Sequence, residues 1–142
     1  MKLLIITLSC LLVLAASTTA VDAAQCRFEI LVKTGNRRNA GTDARVSLQL
    51  SSANGPTLVI PNLESWGEMS AGHDYFEKGN LDRFGGTGAC MPSEPCKMVI
   101  RSDGSGNKPG WYVDYVQVTQ LGQGSVSSMT HKWAVGCGFA AP

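Results

Sequence analysis

The segment Tyr75–Phe84, with the sequence YFEKGNLDRF, is the most informative stretch of this chain. Two other marked segments accompany it: AGTDA at Ala40–Ala44 precedes it, and GWYVDYV at Gly110–Val116 follows it. Together the three segments form a signature that is more specific than any one of them. The residues around them indicate the class of fold to which the signature belongs.

Strand patterns dominate the chain, and helix patterns are nearly absent. Arg45–Leu50 alternates polar and apolar residues, which places its apolar side chains on one buried face. Residues 28–32 show the same alternation. Further strands are predicted at Leu58–Ile60, Lys97–Arg101 and Trp111–Thr119, with turns containing glycine or proline between them. Short strands separated by such turns are typical of an all-β sandwich or barrel.

The last of these strands has an irregular alternation. Trp111 and Val113 share one parity, whereas Val116 and Val118 share the other. A β-bulge near residues 114–115 would bring all four side chains onto the same face. We therefore predict a bulge at that point.

The three signature segments, in this order, resemble the PLAT domain, also called the lipoxygenase homology domain. The phrases NLESWG at Asn62–Gly67, HDYFE at His73–Glu77 and SDGSG at Ser102–Gly106 are similar to those of small single-domain plant proteins of that family, which are associated with stress responses. The resemblance extends from about Cys26 to Thr119. It implies an antiparallel β-sandwich of two four-stranded sheets that acts as a binding module without catalytic machinery.

Residues 1–24 are predicted to be a cleaved signal peptide. Lys2 precedes the apolar run Leu3–Ala16, and small residues follow through Ala24, which is the layout of a secretory leader. The apolar run is shorter than the roughly 20 residues that span a bilayer as a helix, and this disfavours a retained anchor. We expect a protein of the secretory pathway, in the extracellular space (apoplast) or the lumen of the endoplasmic reticulum, with no transmembrane segment in the mature chain.

The mature chain then consists of a sandwich domain at residues 25–119 and a C-terminal extension at residues 120–142 that is tied by a disulfide. The net charge is +1, and it stays +1 when Lys2 and Asp22 leave with the leader. A protein that follows a phosphate backbone carries a clustered basic excess. Nucleic acid is therefore not an expected partner.

Four cysteines remain after the leader: Cys26, Cys90, Cys96 and Cys137. An even number in an oxidising compartment predicts disulfides, although four cysteines allow three connectivities that sequence does not distinguish. The two prolines between Cys90 and Cys96 favour a bridge across that short loop, and a Cys26–Cys137 bridge would tie the ends of the domain together. Zinc is disfavoured because five residues separate Cys90 from Cys96 and neither histidine is near.

The resemblance also implies a weak calcium site, because some PLAT domains bind Ca²⁺ in loops at one end of the sandwich. Such a hard cation takes about six to eight oxygen ligands from carboxylates, amides, hydroxyls and carbonyls. Carried over to this sequence, the ligand positions are Asn39, Gly41, Thr42, Glu77, Gly79, Asn80, Asp82 and Asp103. The alternative is that Thr42, Asp43, Asp82 and Asp103 cap turns through hydrogen bonds from side chain to backbone.

No enzyme is predicted from these residues. The chain has two histidines, His73 and His131, and Ser105 lacks the G-x-S-x-G context of a hydrolase nucleophile. His73 and Asp74 are neighbours in sequence, but a catalytic triad requires a carboxylate that reaches the far ring nitrogen in space. The sequence therefore favours a binding role.

Trp66 is the predicted contact residue for a partner. It lies in a polar loop, ESWGE, without alternation, and its amphipathic ring suits a lipid headgroup layer, a protein interface or the face of a sugar. The alternative is that it folds back as a satellite of the core, since tryptophan is highly buried on average. The expected partner is a membrane lipid surface or a protein, and the alternative ligand is a glycan.

Overall fold

The computed structural model of this protein describes residues 23–108 and 110–139, with side chains to residue 135. The predicted signal peptide, apart from its last two residues, lies outside these ranges, and so does Cys10. The described part contains seven strands and one short 3-10 helix. The strands are β1 (Gln25–Thr34), β2 (Val46–Ser52), β3 (Leu58–Ile60), β4 (Leu81–Ala89), β5 (Pro95–Ser102), β6 (Trp111–Leu121) and β7 (Met129–Phe139), and the helix is Leu63–Trp66.

The strands form two antiparallel sheets with the orders β4-β1-β6-β7 and β3-β2-β5. The predicted all-β antiparallel architecture is confirmed, but the second sheet has three described strands instead of the predicted four. The segment after β3 forms the 3-10 helix and a polar loop, which adds an isolated bridge between Gly67 and Phe84. Because this segment lacks period-two alternation, it offers no continuous apolar face for a further strand to bury.

The core is built from alternate residues of the strands, as the sequence pattern predicts. Phe28, Ile30 and Val32 of β1 and Leu48 and Leu50 of β2 are almost completely buried. Burying such a side chain stabilises the fold by about 1.5–3 kcal/mol. A slip of one residue in the pairing would turn these side chains towards water, so the alternation also sets the register.

The predicted bulge is present in β6. Val113 pairs with Thr34 of β1, and the next paired residue is Tyr115, opposite Lys33, so Asp114 is the extra residue. The pairing of β6 with β7 shifts at the same place. The extra residue allows the buried valines on both sides of it to face the same core.

Two strands, β4 and β7, were not predicted from the sequence pattern. β4 contains Gly85, Gly86 and Gly88, and glycine weakens the sequence signal of a strand because it has no side chain to pack. β4 nevertheless pairs with β1 along its whole length. β7 arises from the predicted C-terminal extension and pairs with β6. That segment therefore supplies an edge strand of the four-stranded sheet.

The predicted disulfide pairing is wrong. Cys26 is bonded to Cys90, with their Cα atoms 4.9 Å apart, and Cys96 is a free, exposed thiol. The antiparallel pairing of β1 with β4 brings the start of one strand beside the end of the other, and the Cys90 N–H donates to the Ala24 carbonyl at 2.8 Å. Cys96 lies in β5 of the other sheet, and Cys137 lies in β7, beyond the last described side chain.

Candidate functional site

Three loops meet at one end of the sandwich. They are residues 35–45 between β1 and β2, residues 67–80 before β4, and residues 103–108 with 110 between β5 and β6. The Thr42 N–H donates to the Phe76 carbonyl at 3.2 Å, and the Thr42 hydroxyl donates to the Lys108 carbonyl at 2.6 Å. The Gly79 N–H donates to the Gly35 carbonyl at 3.0 Å. Segments that are far apart in the sequence are thus adjacent in space.

Three carboxylates cluster where these loops meet. One oxygen from each of Asp43, Asp74 and Glu77 lies within 4.8 Å of the other two. Asp43 and Asp74 are exposed, and Glu77 is half-buried. Like charges this close repel one another unless a cation offsets them. This group, the acidic cluster, therefore attracts cations.

The Lys108 ammonium already offsets part of this charge. Its Nζ lies 3.2 Å from Glu77 Oε1. The hydrogen bond and charge of Glu77, followed by the charges of Asp43 and Asp74, raise the pKa of Lys108 above its ordinary value. Because Lys108 is exposed, solvent screens the ion pair and the ammonium is held only weakly.

An open cleft of about 390 Å³ lies beside Lys108. Its walls come from Asn39, Gly41, Asn107, Lys108 and Gly110. Asn39 has a φ of 58°, a left-handed conformation that asparagine adopts more readily than most residues. A Cβ at Gly41 would lie 3.1 Å from Glu77 Cα and 3.0 Å from the Lys78 nitrogen. Glycine at position 41 therefore permits the first loop to approach Glu77 and Lys78 of the second loop closely.

Asp82, a predicted ligand, lies beneath the acidic cluster and is not part of it. Its carboxylate is fully buried. One oxygen is 2.6 Å from His73 Nε2, and the other accepts a hydrogen bond from the Phe76 N–H at 2.7 Å. Asp82 thus holds the turn that presents Asp74 and Glu77.

Asp103, another predicted ligand, caps its own turn. Its Oδ1 accepts hydrogen bonds from the hydroxyl and N–H of Ser105, at 2.6 and 2.9 Å, and from the Arg45 N–H at 3.1 Å. These bonds, led by that of the Ser105 hydroxyl, lower the pKa of Asp103 below its ordinary value of 3.8. Thr42 also caps, because its hydroxyl accepts from the Ala44 N–H at 3.1 Å. Thr42 and Asp103 therefore cap turns, as the alternative to the calcium site predicts.

The other predicted ligands support the cluster or belong to it. Gly79 has a φ of 75°, and the Asn80 amide donates to the Asp74 carbonyl at 3.1 Å. Glu77 is the one predicted residue whose side chain belongs to the described acidic cluster. Asp43 and Asp74 are missing from the predicted set, although both lie within or directly beside a signature segment.

The donor set of the acidic cluster fits calcium. It consists of carboxylate oxygens, which hard divalent cations prefer, whereas zinc more often takes histidine nitrogen and cysteine sulfur. The exposure of Asp43 and Asp74 leaves room for water to complete a large coordination shell. A cation that binds there competes with the Lys108 ammonium for the carboxylate of Glu77.

Trp66, the predicted contact residue, is half-buried at the end of the 3-10 helix. Its indole ring lies against Gly86 of β4, where an added Cβ would collide with the ring, and it packs on the core. This packing agrees with the alternative of a satellite of the core. Contact of the exposed part of the ring with a partner stays a prediction.

The two histidines bond to carboxylates. His73 contacts Asp82, and His131 Nδ1 lies 2.6 Å from Glu94 Oε1. Within the described ranges, no serine, threonine or cysteine is hydrogen-bonded to either ring, so no pair of nucleophile and base is assembled there. None of the described helical segments is long and apolar enough to cross a bilayer.

Comparison with known proteins identifies relatives along most of the chain. The family model of the PLAT/LH2 domain matches residues 28–136. PLAT domain-containing protein 2 of Arabidopsis thaliana is 43% identical over 122 residues, which cover 83% of this chain and 67% of that protein. PLAT domain-containing protein 1 of the same plant is 40% identical over 116 residues, which cover 78% of this chain and 64% of that protein.

A solved structure has the same fold. In the crystal structure of coral 8R-lipoxygenase, which is described as activated by calcium through a C2-like domain, the matching region has a TM-score of 0.61 at 21% identity and covers 81% of this chain and 16% of that one. At this identity the likeness shows the fold alone. The match to the family model and the identity to the Arabidopsis protein carry the assignment. The chain belongs to the PLAT/LH2 domain family.

Proposed function

We propose that this protein is a secreted, non-enzymatic PLAT module that binds calcium weakly at the acidic cluster and thereby docks on an anionic lipid surface. The observation that carries the proposal is the convergence of Asp43, Asp74 and Glu77 at the loop end of the sandwich. PLAT domains are generally non-catalytic modules. A role in stress responses follows from the likeness to the small plant proteins of the family.

The acidic cluster has the features of a low-affinity calcium site. Asp43, Asp74 and Glu77 would hold the ion. Few charged ligands and an exposed position are typical of extracellular modules, whose calcium dissociation constants are about 10⁻⁴–10⁻³ M. Calcium activation through the C2-like domain of the coral lipoxygenase supports the same type of site on this fold. Once bound, calcium would supply positive charge and coordination positions for phosphate oxygens of lipid headgroups.

The charges around the cluster favour an anionic surface. Arg37, Arg38 and Lys78 are exposed in the same loops, and the Arg37 guanidinium lies over the Tyr112 ring, 4.2 Å from its centre. Without a bound cation, the carboxylates offset these positive side chains. When the carboxylates are neutralised, the loop end becomes net positive and attracts anionic headgroups over about one Debye length.

Co-sedimentation with phosphatidylserine-containing vesicles, in calcium and in chelator, tests the proposal. We expect binding in calcium that is lost in chelator and that weakens as salt rises. Glu77→Gln and Asp43→Asn should lose this binding. The matched control is Asp103→Asn, which changes a carboxylate at the same end of the sandwich but outside the acidic cluster, and it should retain binding.

Several results would contradict the proposal. Vesicle binding that is unaffected by chelator, or that is lost equally in Asp103→Asn, would exclude the acidic cluster as the docking element. A rise in melting temperature with calcium, without vesicle binding, would reject the lipid surface and favour a protein partner.

A further inference from the structure

A second cleft, of about 200 Å³, lies on the outer face of the four-stranded sheet, away from the acidic cluster. It is lined by Glu29, Leu31, Arg83, Gln117 and Thr119. These residues alternate with the buried residues of β1, β4 and β6, so their side chains project from the sheet on the side opposite the core. We call this feature the sheet cleft.

The strand register places these residues in two adjacent rows. Leu31 in the middle strand is flanked by Arg83 of β4 on one side and Gln117 of β6 on the other. In the next row, Glu29 lies opposite Thr119. Directly opposed residues in an antiparallel pair have their Cβ atoms about 4.5–5.5 Å apart. Donor and acceptor groups therefore surround a small apolar floor.

The two charged side chains of the sheet cleft, Arg83 and Glu29, are not engaged in ion pairs in the described part of the chain. By contrast, Arg27 in the row beyond Glu29 is paired with Glu68, and both side chains lie over Gly85. The Arg83 guanidinium thus offers its full planar set of donors to a ligand.

The surroundings of the sheet cleft are cationic. Lys33 lies opposite Tyr115, and its ammonium donates to the Gly79 carbonyl. Lys132 of β7 lies opposite Gln117, with its ammonium 3.7 Å from the centre of the Tyr115 ring. With Arg83, these lysines outnumber the two exposed carboxylates of this face, Glu29 and Asp114. The face therefore suits a ligand that carries negative charge together with many hydroxyl groups.

Exposed apolar side chains extend the same face in both directions. Leu81 is 45% exposed and lies opposite Lys33, and Leu121 is 37% exposed and lies opposite Arg27. Along β1 these two rows are about 20 Å apart at roughly 3.3 Å per residue. The sheet cleft itself is smaller than the roughly 300–1,000 Å³ of sites for drug-sized ligands. One unit of a longer chain would fill it, and the leucines would contact the flanking units.

We propose that the sheet cleft binds an acidic oligosaccharide whose sugar rings carry carboxylates. Arg83 pairs with a ring carboxylate, and Glu29, Gln117 and Thr119 exchange hydrogen bonds with sugar hydroxyls. Leu31 packs against the apolar face of the ring. The free carboxylate of Glu29 disfavours a densely anionic lipid surface at this site, because it would face the headgroup phosphates. This inference is independent of the calcium site and of the proposed function.

Calorimetric titration with trigalacturonic acid, in chelator and at low salt, tests the inference. We expect saturable binding, and weaker or no binding of the matched neutral trisaccharide, in which the carboxylates are reduced to hydroxymethyl groups. Arg83→Gln should weaken binding of the acidic probe about 10-fold or more, a change typical of losing a bidentate arginine pair. Arg83→Lys, which keeps the charge without the planar fork, should lose less.

Arg101→Gln is the control variant. Arg101 is exposed on β5 in the other sheet, so its replacement changes the net charge equally and leaves the sheet cleft intact. Equal losses in Arg101→Gln and Arg83→Gln would show non-specific charge attraction and overturn the proposal. Equal binding of acidic and neutral probes, or no binding of either by a folded protein, would also overturn it. So would calcium-independent binding to anionic vesicles that Arg83→Gln abolishes, because that result assigns the cleft to lipid.

Discussion

The carboxylate of Asp82 accepts a hydrogen bond from the backbone N–H of Phe76, with 2.7 Å between oxygen and nitrogen. Phe76 has a φ of 60°, an uncommon conformation for a bulky residue that costs free energy unless the surroundings hold it. The other carboxylate oxygen of Asp82 contacts His73. A buried strand residue therefore determines the shape of the turn that carries Asp74 and Glu77.

We expect Asp82→Ala to destabilise the protein by about 3 kcal/mol, because it removes a buried acceptor and leaves the Phe76 N–H and His73 without their partner. Urea denaturation measures this change. Asp103→Ala is the matched control, since Asp103 is an exposed carboxylate that accepts hydrogen bonds from Ser105 and from the Arg45 N–H at the surface. Equal losses of stability in the two variants would contradict the structural role of Asp82.

Replacing Lys108 by methionine should raise calcium affinity several-fold. The ammonium of Lys108 competes for the oxygens of Glu77, and its removal leaves the negative potential of the acidic cluster unopposed. Calorimetric titration with calcium measures the effect. Lys78→Met is the control, because Lys78 is exposed in the loop that carries Glu77 and its replacement changes the net charge equally. A larger gain in Lys78→Met than in Lys108→Met would show that contact with Glu77 does not matter.

Peptide mapping of unreduced protein should recover Cys26 linked to Cys90. The bridge closes a loop with a sequence separation of 64 residues, so Cys90→Ser should lower the free energy of unfolding by about 4 kcal/mol on the chain-entropy estimate. Cys96→Ser removes an exposed thiol and should change it by no more than about 0.5 kcal/mol. Recovery of a peptide that links Cys90 to Cys96 would contradict this pairing.

Trp66→Ala should cost about 1–2 kcal/mol of stability, less than the roughly 3–5 kcal/mol lost when a fully buried tryptophan is truncated. The indole ring covers Gly86 while part of it stays exposed. Thermal melts measure this cost, and vesicle binding of the same variant tests its contact role. Melting at the temperature of the parent protein would show that the packing on Gly86 contributes nothing. A Trp66→Phe variant should recover most of the stability, since an aromatic ring still covers Gly86.

Local alternation predicted β1, β2 and β6 and their buried faces. The apolar residues of β1 and β2 repeat with period two, and this pattern alone places Phe28 and Leu48 in the core. The change of parity in β6 predicted the bulge that the structure has at Asp114. β4 was not predicted, because its glycines have no side chains that could alternate between buried and exposed positions. Its pairing with β1 depends on backbone hydrogen bonds, which the sequence pattern does not reveal.

The site required information that no local pattern contains. Asp43 and Asp74 lie in separate loops and meet because the sheets bring those loops to one end of the sandwich. Asp82 is a carboxylate, as a calcium ligand would be. Its position in the alternation of β4, between exposed Leu81 and Arg83, nevertheless directs its side chain into the core. Cys26 and Cys90 are joined because β1 and β4 run antiparallel as neighbours. The hydrophobic period and the residue types reflect interactions within a few residues, so they specify which face of a strand is buried and where the chain turns. Which loops and which cysteines meet depends instead on the order of the strands in the folded sheets.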